Sequence, residues 1–197
     1  MTKRVYFAFH HQDVVDGRAD VVRSHWLAKA DREDAGFFDE MTWGDAILGG
    51  HAFIKRLLTS GLDDTSVTCV LIGTQTSARR WVRYEIVESI QRGNLLLGVH
   101  INGIPDKSQR TKPAGKNPFE QLALAISADG TSIKVLQYEH GAWLPYEDKP
   151  GWPLSKPAAP ERWGKRIQLS TRYRVYDWVT DNGPDNFEKW IGGERVG

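Results

Sequence analysis

One short apolar run constrains the fold of this chain more than any other feature. Residues 67–73 read Val-Thr-Cys-Val-Leu-Ile-Gly, almost wholly apolar, rich in β-branched side chains and ended by a glycine. Such a run is typical of a strand that is buried on both faces, in the interior of a parallel sheet. We therefore expect a layered α/β protein, because only packing layers on both sides of the sheet can bury such a strand.

A helix is predicted directly after this strand, over residues 76–93. A Thr76 or Ser77 hydroxyl is suited to cap its first turn, and Gly93 readily adopts the left-handed conformation in which helices end. Its buried stripe is formed by apolar residues at helical spacing, Val82, Ile86 and Ile90. The helix is thus expected to pack on the sheet.

Trp81 and Glu85 share a face of this helix beside the apolar stripe, because they are four residues apart. The helix follows a central strand, so these side chains lie near the carboxyl edge of the sheet, where open α/β proteins bind ligands. A tryptophan and a carboxylate at that place can hold a nucleotide. The helix pattern alone favours a plainer interpretation, in which Glu85 is a solvated carboxylate and Trp81 fills the core.

Strands and helices alternate through the first half of the chain. Strands are predicted at 5–9, 36–39, 67–73 and 94–101, and helices at 13–30, 46–61 and 76–93. Asp13 is a candidate N-cap of the first helix, and residues 40–45 are predicted as a loop. This order, with short connections, predicts a doubly wound, mostly parallel sheet with helices on both faces, the flavodoxin-like arrangement.

The second half is less regular. Residues 102–117 are predicted as a loop, 119–126 as a short helix or turn, 133–138 as an edge strand and 184–191 as a terminal helix. The segment 141–164 contains five prolines and three tryptophans, so it is expected either to cover the sheet or to cap a pocket. We expect a single domain over 1–197, with a core at about 1–104 and a loop-rich extension with the terminal helix at about 105–197.

Composition excludes several classes of partner. The formal net charge of +1 gives no field that would attract nucleic acid or an anionic membrane. No apolar run has the length of a membrane span, and the start of the chain does not resemble a signal peptide. The single cysteine, Cys69, leaves no internal disulfide and fits a reducing compartment. The expected location is the cytoplasm, without nucleic-acid or membrane partners.

Candidate binding residues follow the predicted strands at the carboxyl edge of the sheet. They are Phe9, His10, His11, Asp39, Trp43 and Trp81, with Glu85 beside them. No dinucleotide-binding G-x-G-x-x-G, P-loop or G-x-S-x-G motif is present, and Gly73 stands where a response-regulator receiver needs an aspartate. A metal site built from His10, His11 and Asp39 is disfavoured, because adjacent side chains at a strand end point to opposite faces. No metal is expected.

One carboxylate among aromatic side chains suits the cleavage of oxidised nicotinamide dinucleotide. Nicotinamide leaves as a neutral molecule from a cationic precursor, so the reaction needs no general acid. The transition state resembles an oxocarbenium ion on the ribose, which a carboxylate stabilises. Aromatic faces can stack on the nicotinamide or adenine ring.

The residues now described also resemble a known family. Trp81-Val-Arg-Tyr-Glu85 matches the W-x-x-x-E helix of TIR domains. Further matching pieces lie, in order, at 6–10, 38–39, 42–43, 70–73, 76, 80–86, 97–101, 176–179 and 186–191. Together they cover nearly the whole chain and resemble the TIR-like ThsB proteins of the Thoeris anti-phage system. His10 departs from the serine that many TIR domains carry after the first strand, which leaves its role and that of His11 open.

The resemblance implies a TIR-like fold and an enzyme of the NAD+ nucleosidase or ADP-ribosyl cyclase type, with Glu85 as the catalytic residue. NAD+ is then the substrate, and no cofactor is required. A phage-derived trigger leads to an ADP-ribose-derived signal, often a cyclic ADP-ribose isomer, which activates a separate effector, ThsA. Other Thoeris types join ADP-ribose to histidine instead. Self-association is a further property that the family implies.

Two alternatives stay open at this point. The chain can be a non-catalytic interaction module, since many TIR domains act by assembling with one another or with adaptors. It can also be a plain NAD+ glycohydrolase that depletes the dinucleotide and releases free ADP-ribose. Substitution of Glu85 separates the first alternative from an enzyme, and the identity of the product separates the second from a cyclase.

Overall fold

The computed structural model describes residues 3–38 and 40–193, with Glu40 described by its backbone alone. The strands are β1 (Lys3–Ala8), β2 (Arg32–Ala35), β3 (Val67–Ile72), β4 (Leu95–His100), β5 (Leu122–Ile126), β6 (Ser132–Glu139), β7 (Ala142–Pro145), β8 (Gly151–Pro153), β9 (Arg166–Gln168) and β10 (Arg174–Asp177). The helices are α1 (His11–Val15), α2 (Arg18–Leu27), α3 (Glu40–Leu48), α4 (Gly50–Gly61), α5 (Arg80–Arg92) and α6 (Gly183–Ile191).

The predicted parallel sheet is confirmed, with β3 at its centre. The strand order is β10-β4-β3-β1-β2, and every pair is parallel. All six residues of β3 are buried, and Cys69 lies opposite Phe7 of β1 and Leu97 of β4. The α/β, flavodoxin-like class expected from the sequence is therefore the class observed.

Successive side chains of β1 lie on opposite faces of the sheet. Phe7 packs in a core with the helices α2 and α6, whereas Tyr6 packs in a second core with α5 and the antiparallel strands β5 and β6. The second sheet has the order β7-β6-β5-β9, with β8 also paired to β6. Helices thus cover one face of the parallel sheet, and α5 with the antiparallel sheet covers the other.

Several predicted elements in the first half are corrected. The second strand lies at 32–35 instead of 36–39, because Gly36 ends it with a φ of 93°. Residues 40–45 form part of α3 and are not a loop. The helix predicted at 13–30 is two helices, interrupted at Gly17 with a φ of 80°, and Asp13 lies buried inside α1 instead of capping it. A similar break at Gly49 separates α3 from α4, which begins at Gly50 with a φ of 78°.

The second half has more regular structure than the sequence predicts. Residues 133–138 fall in β6, which is an interior strand and not an edge strand. The segment 141–164 contributes β7 and β8, and residues 122–126 form β5 after a short 3-10 turn. The strand β10, which the sequence does not predict, joins the parallel sheet beside β4, so the C-terminal part of the chain helps to build that sheet. The terminal helix is confirmed as α6.

Helix α6 is held by an aromatic cluster centred on Phe187. Its ring stacks on Phe7 at 6.3 Å and meets the edges of Trp26 and Trp178 at 6.1 and 5.4 Å. Phe187 is 1% exposed, so its removal leaves a cavity between α6 and the sheet.

We expect Phe187→Ala to lower the free energy of unfolding by about 3–5 kcal/mol, the usual cost of deleting a buried phenylalanine side chain. Urea denaturation followed by circular dichroism measures the change. Lys189→Ala, an exposed position on the same helix, is the control and should change stability by less than about 0.5 kcal/mol. Equal effects of the two substitutions would contradict the packing described.

Candidate active site

The site lies where β1 and β3 end and α5 begins. After β3 the chain turns sharply, and the Thr76 hydroxyl accepts a hydrogen bond from the Gly73 amide at 2.8 Å. This turn includes a 3-10 segment at Thr76–Ala78, so α5 starts at Arg80, later than the sequence predicts. Arg79 occupies the N-cap position without a side-chain cap, whereas Gly93 ends the helix in the predicted left-handed conformation, with a φ of 81°.

A cavity of about 730 Å³ opens at this edge of the sheet. Its size is that of a pocket for a molecule such as a nucleotide. The residues that line it come from the β1–α1 connection, the segment after β2, α3, α4 and the start of α5: Phe9, His10, His11, Gly36, Phe38, Trp43, Gly44, Ile47, Leu58, Ala78, Arg79, Arg80, Trp81, Val82 and Glu85.

The structure therefore brings together all the candidate residues of the sequence except one. Phe9, His10, His11, Trp43, Trp81 and Glu85 line the same cavity. Asp39 lies outside the residues that the structure describes. The lining unites side chains that are separated by more than seventy positions in the sequence, because the parallel strands align their carboxyl ends.

Glu85 is a buried carboxyl group with one strong partner. It is 5% exposed, and the Tyr6 hydroxyl donates to its Oε1 at 2.6 Å. Burial raises the pKa of the Glu85 carboxyl to about 8, and the hydrogen bond from Tyr6 only partly offsets this rise. The interpretation of Glu85 as a solvated helix carboxylate is therefore wrong.

Tyr6 reaches Glu85 because β1 passes directly beneath α5. Tyr6 is fully buried, and burial together with the neighbouring Glu85 raises the pKa of its phenol well above the usual value. It therefore remains a hydrogen-bond donor at physiological pH. The backbone carbonyl of Glu85 also accepts a bond from the Ser89 hydroxyl at 2.6 Å, one turn further along α5.

Aromatic side chains form two walls of the cavity. Phe38 and Trp43 are stacked, with ring centroids 6.4 Å apart and planes inclined by 14°. On the side of α5, the edge of Trp81 meets Tyr84 and His51, at 6.2 and 5.5 Å. Both tryptophans are partly exposed and line the cavity, so each presents aromatic surface that a ligand ring can contact.

The two histidines after β1 have different surroundings. His10 is partly buried, and burial, with Arg79 as the second cause, lowers the pKa of its imidazole. It is therefore neutral at pH 7 and able to accept a hydrogen bond. His11 is exposed and is the first residue of α1.

The sequence reasoning missed several residues of the site, among them Phe38 and Arg79 of the lining and Tyr6, the partner of Glu85. Arg79 lines the cavity, and its buried Nε has no hydrogen-bond partner among the described residues. The alternation of side chains along β1 could have placed Tyr6 on the face of the sheet that α5 covers. Its contact with Glu85, 79 positions away, required the register of the sheet.

The segment 141–164 braces the helices beside the cavity. Asp148 accepts two hydrogen bonds from Arg80, both at 2.8 Å, and pairs with Lys55 of α4 at 3.0 Å. The Tyr146 hydroxyl donates to the Arg80 carbonyl at 3.3 Å. Within the described residues, the lining of the cavity includes no residue of 141–164, so this geometry gives no support to a lid.

Two further findings concern the described residues as a whole. In the ranges 3–38 and 40–193, no group of three or more His, Cys, Asp and Glu side chains is arranged to hold a metal ion. No helix within these ranges combines the length and apolar character needed to cross a membrane.

The raised pKa of Glu85 makes stability depend on pH. Between pH 4.5 and about 8 the folded protein retains a proton that the unfolded chain releases, so stability falls as the pH rises through this window. Glu85→Gln removes this titrating group. We expect the unfolding free energy of the variant to fall less steeply with pH than that of the wild type, and the two slopes should differ by up to about 1.4 kcal/mol per pH unit.

Urea denaturation of both proteins from pH 5 to 9 measures the difference. Tyr6→Phe is the companion variant: loss of the donor should raise the pKa further and extend the falling region to higher pH. Parallel pH profiles of the wild type and Glu85→Gln would show that Glu85 does not carry a raised pKa.

Comparison with known proteins agrees with this architecture. The model of the family described as "Thoeris protein ThsB, TIR-like domain" matches residues 6–106. A protein of Bacillus cereus (strain MSX-D12) named "Putative cyclic ADP-D-ribose synthase ThsB1" is 46% identical over 191 residues, which cover 97% of this chain and 100% of that protein. The resemblance carried by the W-x-x-x-E helix is thereby confirmed. The chain belongs to the Thoeris ThsB family of proteins with a TIR-like domain.

Proposed function

We propose that this protein cleaves NAD+ at the nicotinamide glycosidic bond and makes an ADP-ribose-derived signal, a cyclic ADP-ribose isomer. The observation that carries the proposal is the buried carboxyl group of Glu85 in a cavity of nucleotide size with aromatic walls. The name of the Bacillus cereus relative, a cyclic ADP-D-ribose synthase, supports the choice of a cyclic product.

Glu85 stabilises the positive charge that develops on the ribose as nicotinamide leaves. A carboxylate in a site that excludes water does this more effectively than one in solution, because little solvent screens the interaction. Tyr6 holds the carboxylate in place by donating to Oε1. The departing nicotinamide needs no proton, which is consistent with Glu85 being the only acidic side chain in the described lining of the cavity.

The same carboxylate is suited to accept a proton in the second step. A hydroxyl nucleophile, from water or from the ADP-ribose itself, releases one proton when it attacks the ribose carbon. A pKa of about 8 lies close to the working pH, where a general base is most effective. Burial of Glu85 and the aromatic walls limit the access of water and so favour an internal nucleophile over hydrolysis.

Trp43 and Trp81 are proposed to hold the rings of the dinucleotide, and Phe9, His10 and His11 are proposed as further contacts in the same lining. Asp39 remains a proposed contact from the sequence. In this proposal the product activates an effector such as ThsA, in response to a phage-derived trigger. Histidine-conjugated and free ADP-ribose are the alternative products.

A non-catalytic interaction module is the alternative function. The observation in its favour is an exposed apolar surface on α3 and α4, where Met41, Leu48 and Phe53 are 76%, 87% and 51% exposed. Such a surface suits self-association, which is compatible with catalysis as well. Only the fate of NAD+ separates the two functions.

We expect Glu85→Gln to reduce product formation by about 100-fold or more, because the amide carries no charge to stabilise the transition state. Mass spectrometry of extracts from phage-infected cells measures NAD+ and its products. Glu88→Gln is the matched control: Glu88 is also buried on α5 but pairs with Lys149 and does not line the cavity. Protection from phage by Glu85→Gln at the wild-type level, without an ADP-ribose product in either strain, would favour the interaction module.

We also expect the activity to rise with pH, because the carboxylate is the active form and its pKa in the free protein is about 8. The profile of kcat/KM should inflect near that value, with a slope of one below it. The profile of kcat should inflect at lower pH, because the cationic nicotinamide of bound NAD+ favours the carboxylate. Rates that are independent of pH from 5 to 9 would contradict this role.

A further inference from the structure

Arg79 is a cation in the lining of the cavity. Its backbone is fixed, and within the described residues its side chain makes no hydrogen bond or ion pair. Its amide donates to the Thr76 carbonyl at 3.1 Å, and its carbonyl accepts from the Arg83 amide at 3.1 Å. These bonds hold the residue in an extended conformation, with φ −85° and ψ 120°, directly before α5. The position of the Arg79 backbone at the edge of the cavity is therefore set by the start of the helix.

The other arginines of this helix are all engaged. Arg80 pairs with Asp148, Arg83 with Glu139 and Arg92 with Asp63. By contrast, the structure shows no hydrogen bond from the buried Nε of Arg79 and, within the described residues, no ion pair to its guanidinium. Arg79 as a whole is partly exposed and lines the cavity, so its guanidinium is a cation with which an anion that enters the cavity can pair.

The chemistry of the Arg79 guanidinium indicates that the anion is a phosphate. A guanidinium presents a planar fork of N–H donors that matches two oxygens of a phosphate. The start of α5 adds to this preference, because its 13-residue helix has no side-chain cap and no acidic residue in its first turn. The amides of its first turn, at Arg80, Trp81 and Val82, have no acceptor within the helix itself and belong to residues of the same lining.

The distance between Arg79 and Glu85 along the helix suits a single dinucleotide that contacts both residues. Arg79 precedes Glu85 by six residues, which corresponds to about 9 Å along the helix axis. A ligand whose ribose lies against the carboxylate can therefore place its phosphates near the start of α5. Glu85 is the only carboxyl group in the described lining, so no other acidic side chain of that lining competes for Arg79.

We propose that Arg79 binds the diphosphate of the dinucleotide and so fixes its ribose against Glu85. The inference rests on the proposed function, whose substrate it places in the cavity. It makes Arg79 a determinant of specificity for dinucleotides over nicotinamide ribosides that carry no phosphate. Loss of the side chain should weaken binding with little effect on the fold, since within the described residues the Arg79 side chain makes no hydrogen bond or ion pair.

The test uses the full chain with Glu85→Gln, which prevents turnover, and ADP-ribose as the probe in isothermal titration calorimetry. Adding Arg79→Gln should weaken ADP-ribose binding by about 10- to 100-fold, the range expected for a charge-assisted bond. Arg79→Lys keeps the positive charge but lacks the planar set of N–H donors, so its affinity for ADP-ribose should be intermediate. Arg92→Gln, at the far end of the same helix, is the matched control and should bind like the parent.

Each outcome of the titration either supports the proposed role of Arg79 or overturns it. Equal affinity of the parent and the Arg79→Gln protein, with thermal midpoints within about 1 °C, would overturn it. Failure of the parent itself to bind ADP-ribose would overturn it as well. The proposed function is tested separately, because product formation in infected cells is measured with Glu85 and Arg79 variants side by side. If Arg79→Gln forms product at the wild-type level, cleavage of NAD+ stands and the role of Arg79 is wrong.

Discussion

Burial of the central strand on both faces is the constraint from which the other layers of this protein follow. Every residue of β3 is covered, so the chain must supply a packing layer on each side of the sheet. One layer is α2 with α6, and the other is α5 with the antiparallel sheet. The C-terminal half is thus part of the core packing, and it also adds β10 to the parallel sheet.

The second layer determines the properties of Glu85. Helix α5 packs over β1, which places the carboxyl group against the Tyr6 hydroxyl in a site that solvent hardly reaches. A carboxylate in such a place costs desolvation free energy that one hydrogen bond does not recover, and the raised pKa is the result. The same desolvation that destabilises the charged form in the empty protein strengthens its interaction with a cationic ligand.

The antiparallel part contributes to the site from outside the cavity. Asp148 joins Arg80 of α5 to Lys55 of α4, and Lys149 pairs with Glu88 one turn after Glu85. These ion pairs fix the two helices that carry one wall of the cavity. Arg80 in turn stacks on Trp81, with its guanidinium carbon 4.9 Å from the ring centroid. The segment therefore positions the aromatic wall without lining the pocket.

The sequence by itself determined the unit of β3 and α5, and with it the shared face of Trp81 and Glu85, because these depend on local periodicity and short spacings. It failed for β2, a charged edge strand whose arginine and aspartate pair with Glu188 and Arg23, and for α3, where helix formation places Trp43 in the wall. Only the tertiary structure decided that Tyr6 bonds Glu85 and that, among the described residues, the Arg79 side chain makes no hydrogen bond or ion pair. Both depend on the register of distant segments, and a protein chain encodes that register through the packing of its whole core and not through any local pattern.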